Sequence, residues 1–485
     1  MRLSQLVDAG APADPDIAGV TADSRRVKPG FLFAALPGSK VDGRGFIPGA
    51  IAAGAAAVLA PDDVGGLSVP VVHAADLRRA YALAAARFWG AQPAVCVAVT
   101  GTNGKTSVAA FCRQIFARLG RKAASMGTLG VVVSETGRPD VAVTPPGLTT
   151  PDAADVAELL ARLAGEGVTH LALEASSHGV DQRRLDGVRL TAAGFLNLTQ
   201  DHLDYHGTMG VYRAAKLRLF ETLLPRGATA VLNADSDQFE VFAAAATAAG
   251  QTVLSTGSAG QGVRVVERVL EPDGQSLVLE HAGATYAVRL PLAGVFQADN
   301  ALVAAGLCIA AGEAPAAVFA ALGGLQGAPG RLQRVGARPG GGEAYVDYAH
   351  TPDGLETVLK ALRPHTEGRL LVVFGAGGDR DRTKRPIMGG IAARLADVAI
   401  ITDDNPRSED PAAIRAEVQA GAPSALNIGD RRAAIRHGVS LLGPGDVLVV
   451  AGKGHEQGQT VAGVTHPFDD VVETAAALGQ EAAHA

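Results

Sequence analysis

Cysteine is scarce in this chain. Its 485 residues include only Cys96, Cys112 and Cys308. They are odd in number, far apart and form no CxxC pair, which speaks against a zinc ribbon or a disulfide framework and fits a reducing compartment. Aromatic residues make up 4%, with one Trp, too few for a base-stacking nucleic-acid platform. An excess of positive charge is also missing. The net charge is -6 and the pI about 6.1, so no basic footprint marks a nucleic-acid binder. An anionic substrate must therefore be held by local Arg, Lys and helix N-termini. Long hydrophobic runs are absent too. The most apolar stretch, 47–60, is Ala/Gly-rich, carries Pro48, and falls short of the ~20 residues that span a bilayer. Asp8, Asp14 and Asp16 interrupt the N-terminus before an apolar core builds up, so no signal peptide is expected there. The expectation is a soluble, cytoplasmic protein.

What the chain does have is ample core material. Hydrophobic residues make up 47% and charged residues 19%, far from the signature of disorder. The length suggests roughly three domains. Gly occurs 60 times without a collagen-like period, which points to tight turns and close backbone approaches. Short apolar runs at 95–99, 170–174, 370–374, 398–401 and 447–451 alternate with Ala/Leu-rich helical stretches. Continuous apolar runs bounded by polar or Gly residues suit strands buried on both faces of a parallel sheet. The fold class expected is therefore α/β. Boundaries are expected near Gly90–Pro93 and Gly327–Gly330, with a second Gly-rich break at Pro339–Gly342. The stretch 253–292 alternates differently and has a turn at Glu271-Pro-Asp-Gly274, which predicts antiparallel β added to the α/β core.

The clearest motif is Val99-Thr-Gly101-Thr102-Asn103-Gly104-Lys105-Thr106-Ser107, between a strand and a helical run. Backbone N–H groups of such a loop can cradle phosphates, Lys105 can reach the β- and γ-phosphates, and the Thr106 hydroxyl can bind Mg²⁺. The common pattern has Gly where this chain has Val99, so the match is to a GTxGK[TS] variant. Glu174 ends the run 170–174, and a carboxylate at the C-terminal end of a parallel strand faces the ligand crevice. It reads as a Mg²⁺ ligand or as an ordinary capping residue. The stretch Asn197-Leu-Thr-Gln-Asp201-His202-Leu-Asp204-Tyr-His206 packs carboxylates and imidazoles closely, as a metal or phosphate site would, although a polar loop reads the same way. His202 and His206, at i and i+4, would share a face if the segment is helical. Lys216, by itself, reads as a surface lysine on an amphipathic helix.

In this order the motifs resemble the Mur ligase family of ATP-dependent, amide-forming enzymes of peptidoglycan synthesis, over essentially the whole chain. The resemblance is carried by Asp23-Ser24-Arg25, the GTNGKTS loop, Thr149-Thr150, Glu174-x-Ser176-Ser-His178, Asp201-His-Leu-Asp-Tyr-His206, Ala215-Lys216 and Asn300. It continues through Gly330-Arg331, Asp347-Tyr-Ala-His350, Gly377-Gly-Asp-Arg380, Asp404-Asn405-Pro406-Arg407 and Gly452-Lys-Gly-His-Glu456. It implies a UDP-substrate domain at 1–92, a central ATP-binding P-loop domain at 93–329 and a C-terminal, Rossmann-like amino-acid domain at 330–485. It further implies the branch that adds meso-2,6-diaminopimelate to UDP-N-acetylmuramoyl-L-alanyl-D-glutamate through an acyl phosphate, with Mg²⁺ as cofactor and ATP as co-substrate. A lysine-adding sister, a folylpolyglutamate synthetase and a non-catalytic P-loop switch are the alternatives.

The resemblance also assigns residues. ATP falls to Gly101–Ser107, Asn300 and Arg331. Lys216 becomes a lysine carbamylated by CO₂, and Thr106, Glu174, His202 and that carbamate become Mg²⁺ ligands. Asp347 and His350 come near the reacting groups, with Lys105, Lys216 and His202 as their catalytic partners. The nucleotide peptide falls to Ala22, Ser24, Ser39, Lys40, Val41, Thr149, Thr150, Ser176, Gln182 and Arg184. Diaminopimelate falls to Arg380, Asp404, Asn405, Pro406, Arg407, Gly452 and Glu456. Diaminopimelate differs from lysine by a second carboxylate, and Arg407 is the residue type that grips one bidentately. A cytoplasmic monomer, open to association with other cell-wall synthesis enzymes, is implied, without nucleic acid and without stable membrane insertion.

Overall fold

The computed structural model describes residues 1–8, 13–38 and 42–479. The chain forms two compact units, Met1–Thr256 with Gly306–Glu313, and Gly257–Ala305 with the chain from Ala314 onward. No helix among the described residues is long and apolar enough to cross a membrane.

The first unit opens with a four-stranded parallel sheet, Gly19–Thr21, Phe31–Ala34, Ala57–Ala60 and Val71–His73, paired in chain order. The helix Leu77–Trp89 covers it and ends at Gly90, whose φ of 70° breaks the helix. The core under this sheet takes in Ala153, Ala154 and Ala157 of the next sheet's helix Ala153–Gly165. That next sheet has parallel strands in the spatial order Thr252–Gly257, Thr229–Asn233, Ala192–Phe195, Val95–Thr100, His170–Glu174 and Ala123–Gly127. Two antiparallel strands, Gly130–Ser134 and Val141–Thr144, follow at one edge. Val95–Thr100 starts the sheet and lies in its middle, and later strands build outward on both sides. Its C-terminal end is therefore a topological switch point, where crossovers diverge and leave a crevice. The apolar runs form these strands because both faces are covered: every residue of His170–Glu174 is buried.

In the second unit, Val263–Glu271, Gly274–His281 and Ala284–Leu290 form an antiparallel meander. The turn predicted at Glu271–Gly274 is its first hairpin. The predicted antiparallel stretch began too early, however. Thr252–Gly257 pairs in parallel with Thr229–Asn233, and its alternating pattern reflects a half-covered strand near the end of the parallel run. A six-stranded sheet follows in the order Gln333–Ala337, Glu343–Asp347, Val447–Ala451, Leu370–Phe374, Val398–Ile401 and Leu426–Asn427. All are parallel except the edge strand Gln333–Ala337. Buried His365 joins the meander to this layer. Its Nδ1 donates to the Glu271 carbonyl (2.6 Å), and its Nε2 accepts from the Gly294 N–H (2.8 Å).

Candidate active site

The phosphate loop leaves the switch point as expected and opens the helix Lys105–Arg118. Gly104 has φ 92°, a left-handed turn that glycine adopts without strain, and no side chain caps this helix. A helix N-terminus at such a turn presents its backbone N–H groups and dipole in a way that suits an anion. The loop is pinned from the neighbouring strand. Asn197 receives the Asn103 N–H on its Oδ1 (2.9 Å) and donates to the Asn103 carbonyl (3.2 Å), while Thr102 N–H reaches the Asn197 carbonyl (2.9 Å). The Lys105 ammonium donates back to the carbonyls of Gly101 and Thr102, each at 2.9 Å.

Glu174 is buried at the end of the adjacent strand. Its carboxylate accepts from the Thr106 hydroxyl (3.1 Å), the Thr128 N–H (2.8 Å) and the Thr128 hydroxyl (3.3 Å). A Cβ at Gly127 would stand 2.0 Å from Glu174 Oε1, so only glycine admits this carboxylate. A carboxylate and a hydroxyl, both hard oxygen donors held side by side at the phosphate loop, fit Mg²⁺.

The nucleotide-peptide candidates converge on the same strand end. The Thr150 hydroxyl donates to the Glu174 carbonyl (3.0 Å) and pairs with Ser176 Oγ (2.9 Å). Arg184 reaches the Thr150 carbonyl (2.6 Å) and Gln182 (2.7 Å), and Thr149 pairs with Thr128 (3.0 Å). Ala22 is tied in from the first sheet. Its N–H donates to Tyr81 Oη (3.2 Å), which donates to Asp152 (2.5 Å), the cap of helix Ala153–Gly165. Ser24 heads a short 3-10 turn capped by Asp23, whose carboxyl Arg25 holds down near 2. Ser39, Lys40 and Val41 lie outside the described residues.

Two readings need correction. Lys216 is no surface lysine, being 1% exposed. Its Nζ donates to the Gly101 carbonyl (2.8 Å) and lies 4.5 Å above the Tyr212 ring. Burial, reinforced by the nearby Lys105 charge, pushes its pKa well below the ordinary lysine value. His202 and His206 do not share a helix face. His202 is the left-handed residue before the short helix Leu203–His206, with its ring half exposed beside Asp201 (3.4 Å) and His178 (4.9 Å between centroids). His206 turns inward to Ser177 Oγ (3.0 Å).

In the second unit the candidates again gather at the C-terminal ends of parallel strands. Asp347 ends Glu343–Asp347, and its buried carboxylate accepts from the N–H groups of Leu332 (2.6 Å) and Ala349 (2.8 Å). Burial raises its pKa, while Arg331 opposes the shift. The Arg331 guanidinium stacks on Tyr348 (4.7 Å), and its carbonyl accepts from Gln297, which also receives the Asn300 amide (3.1 Å). Burial lowers the pKa of His350, whose Nδ1 lies 2.9 Å from the Tyr348 carbonyl.

Gly452 and Glu456 follow the central strand Val447–Ala451, and Asp404–Arg407 follows Val398–Ile401. Asn405 donates to Glu456 (2.9 Å) and accepts from Lys453 (2.9 Å). Asp404 Oδ1 is buried without a hydrogen-bond partner among the described residues, 3.5 Å from Lys453 Nζ. Arg380 is exposed at the same strand ends. Sequence reasoning passed over Asn197, Thr128 and Lys453. The first and last sit inside quoted motifs, but nothing local marks Thr128.

Three family models match the chain: "Mur ligase family, catalytic domain" over 16–88, "Mur ligase middle domain" over 99–308, and "Mur ligase, glutamate ligase domain" over 330–454. A UDP-N-acetylmuramoyl-L-alanyl-D-glutamate–2,6-diaminopimelate ligase of Caulobacter vibrioides is 71% identical over 478 residues, covering 98% of each chain. The chain belongs to the Mur ligase family. A second relative of this Mur ligase, a protein of the same name from Mesorhizobium japonicum, is 54% identical and covers 98% of each chain. A solved structure of a ligase of that name is 35% identical, covers 99% of both chains and superposes with a TM-score of 0.76. The three-domain α/β architecture of this Mur ligase agrees with that structure.

Proposed function

We propose that this chain is the ATP-dependent ligase that joins meso-2,6-diaminopimelate to UDP-N-acetylmuramoyl-L-alanyl-D-glutamate in the cytoplasm. Residues 1–92, 93–329 and 330–485 then serve the UDP end, ATP and the amino acid. The observation that carries the choice of amino acid is the Asp404–Arg407 turn. It carries a carboxylate, Asp404, and a guanidinium, Arg407, on one four-residue turn, with Asn405 hydrogen-bonded to Glu456 (2.9 Å), a set of charges that suits an amino acid whose far end bears both a carboxylate and an ammonium. The names of the relatives point the same way.

An amide cannot form directly from a carboxylate, because its oxygen leaves poorly. ATP transfers its γ-phosphoryl group to the carboxylate, a step in which two anions must meet, giving an acyl phosphate and ADP; the neutral amine then attacks the acyl carbon and phosphate leaves. Lys105 and the uncapped helix N-terminus hold the phosphates, with Thr106 and Glu174 as ligands of Mg²⁺. The bound ion neutralises phosphate charge as a Lewis acid. Lys216 reads as a carbamylation site. A lowered pKa keeps part of its amine neutral, and a neutral amine adds to CO₂, losing one proton and gaining a carboxylate. That converts a cation beside Lys105 into an anion, which with His202 would serve a second Mg²⁺. Thr149, Thr150, Ser176, Gln182 and Arg184 orient the D-glutamyl end. Asp347 steadies the Arg331 loop, and neutral His350 stands near the incoming amine.

The test is phosphate release from ATP with UDP-N-acetylmuramoyl-L-alanyl-D-glutamate, offering meso-diaminopimelate and L-lysine in parallel. Release that requires the nucleotide peptide and diaminopimelate is expected. Release with lysine instead overturns the assignment of the Asp404–Arg407 turn. Release independent of any amino acid overturns the ligase reading.

A further inference from the structure

Two loops meet around Arg407. Residues 377–380 follow the strand Leu370–Phe374, and residues 404–407 follow Val398–Ile401. Asp379 and Arg407 both hold left-handed backbone, with φ of 55° and 54°. Side-chain-bearing residues stay there only when their surroundings impose it.

The surroundings here are a closed chain of charged hydrogen bonds. Arg385, on the helix Lys384–Leu395, has no exposed surface. Its guanidinium grips Glu409 with two N–H groups (2.8 and 2.9 Å), reaches Glu417 (2.9 Å) and donates to the Gly377 carbonyl (3.1 Å). Glu409 also accepts the Asp379 N–H (2.7 Å). The Asp379 carboxylate accepts the Ser408 hydroxyl (2.6 Å) and N–H (3.2 Å). Arg407, next in the chain, donates from Nη1 to the Gly378 carbonyl (2.7 Å). Its backbone is stitched to the antiparallel hairpin of Gly458–Val461 and Val464–Pro467, N–H to the Thr460 carbonyl (2.9 Å) and carbonyl from the Ala462 N–H (2.6 Å). The loops lie so close that a Cβ on Gly378 would come within 1.9 Å of the Pro406 carbonyl oxygen.

An ion pair with one partner sealed from water is a weak net stabiliser compared with apolar packing, but its fixed hydrogen bonds hold geometry. We propose that Arg385, Glu409, Asp379 and Ser408 form a clasp that positions Arg407 for the far carboxylate of the incoming amino acid, and so act as positioning residues for amino-acid choice. The proposal rests on the substrate reading above. A guanidinium gains its bidentate advantage only when the fork is aimed, and a misplacement of about 1 Å can cost on the order of a hundredfold. Lysine lacks that carboxylate, so the clasp bears on diaminopimelate alone.

The experiment is a double-mutant cycle. Glu409→Gln and Ser408→Ala are each made alone and together with Arg407→Ala, and steady-state kinetics are run with all three substrates. Each clasp substitution is expected to raise the KM for diaminopimelate about tenfold or more, with kcat and the KM for ATP little changed. In the Arg407→Ala background the same substitutions are expected to add almost nothing, because they act through that side chain. An unchanged KM for diaminopimelate, or a full additional rise in the Arg407→Ala background, overturns the clasp. Ser408 is exposed, so its truncation carries the test if Glu409→Gln does not fold. A wild-type enzyme that forms product without diaminopimelate fails the substrate reading instead, a result visible before any variant is made.

Discussion

His455 shows how much one residue's surroundings decide. Its Nδ1 is buried with no hydrogen-bond partner among the described residues, and its ring packs 4.9 Å from that of Tyr348. Burial, with the Arg331 charge adding to it, pushes its pKa from 6.5 down to about 4. Between those values the unfolded chain binds a proton that the folded chain refuses. This contribution to stability is therefore complete above about pH 6.5 and is lost as the pH falls towards 4. His455→Gln is expected to melt with a shallower loss between pH 7 and pH 5 than the wild type. Parallel melting curves over that range would assign the acid sensitivity elsewhere. Lys216 teaches the same lesson with the opposite starting point. In sequence it is one cation on an amphipathic helix, and burial is a property of what packs on it.

At the scale of elements, a buried phenol helps to tie the first sheet to the next, alongside their shared apolar core. Tyr81, on Leu77–Trp89, accepts from the Ala22 backbone and donates to Asp152 at the start of Ala153–Gly165. Tyr81→Phe leaves the Ala22 N–H without its acceptor and is expected to destabilise by about 1–3 kcal/mol. Because Ala22 and Thr150 flank this link, the KM for the nucleotide peptide is expected to rise while that for ATP stays. Urea unfolding and steady-state kinetics check the two halves, and an unchanged urea midpoint refutes the first. The central strands at 95–100, 170–174, 370–374, 398–401 and 447–451 were legible, since each is a short apolar run. Ala123–Gly127, small and partly polar, was not, and Thr252–Gly257 pairs in the direction opposite to that expected, because partner direction is not written in a single strand's pattern.

At the scale of the whole molecule, the phosphate-loop group and the amino-acid group lie on different units of the chain. Ligands that bind only the folded state stabilise it by mass action, about 2.7 kcal/mol at a hundredfold excess over Kd. ATP with Mg²⁺ is expected to raise the melting temperature of the wild type. Lys105→Met, which removes the ammonium now bonded to Gly101 and Thr102, is expected to lose most of that rise. A full rise in the variant would place ATP elsewhere.

The sequence by itself determined the features that are contiguous: the glycine-bearing phosphate loop between a strand and a helix, the apolar strands, and the Asp404–Arg407 turn. Each is local because its backbone geometry depends on a few neighbouring residues. Only the tertiary structure decided what lies far apart in the chain. It set the Thr106 hydroxyl against Glu174, across 68 positions, sealed Lys216 against Gly101, across 115, and closed Arg385 on Glu409. Those outcomes follow from which strands pair and which side chains lose water, and desolvation belongs to the packed molecule rather than to any residue in it.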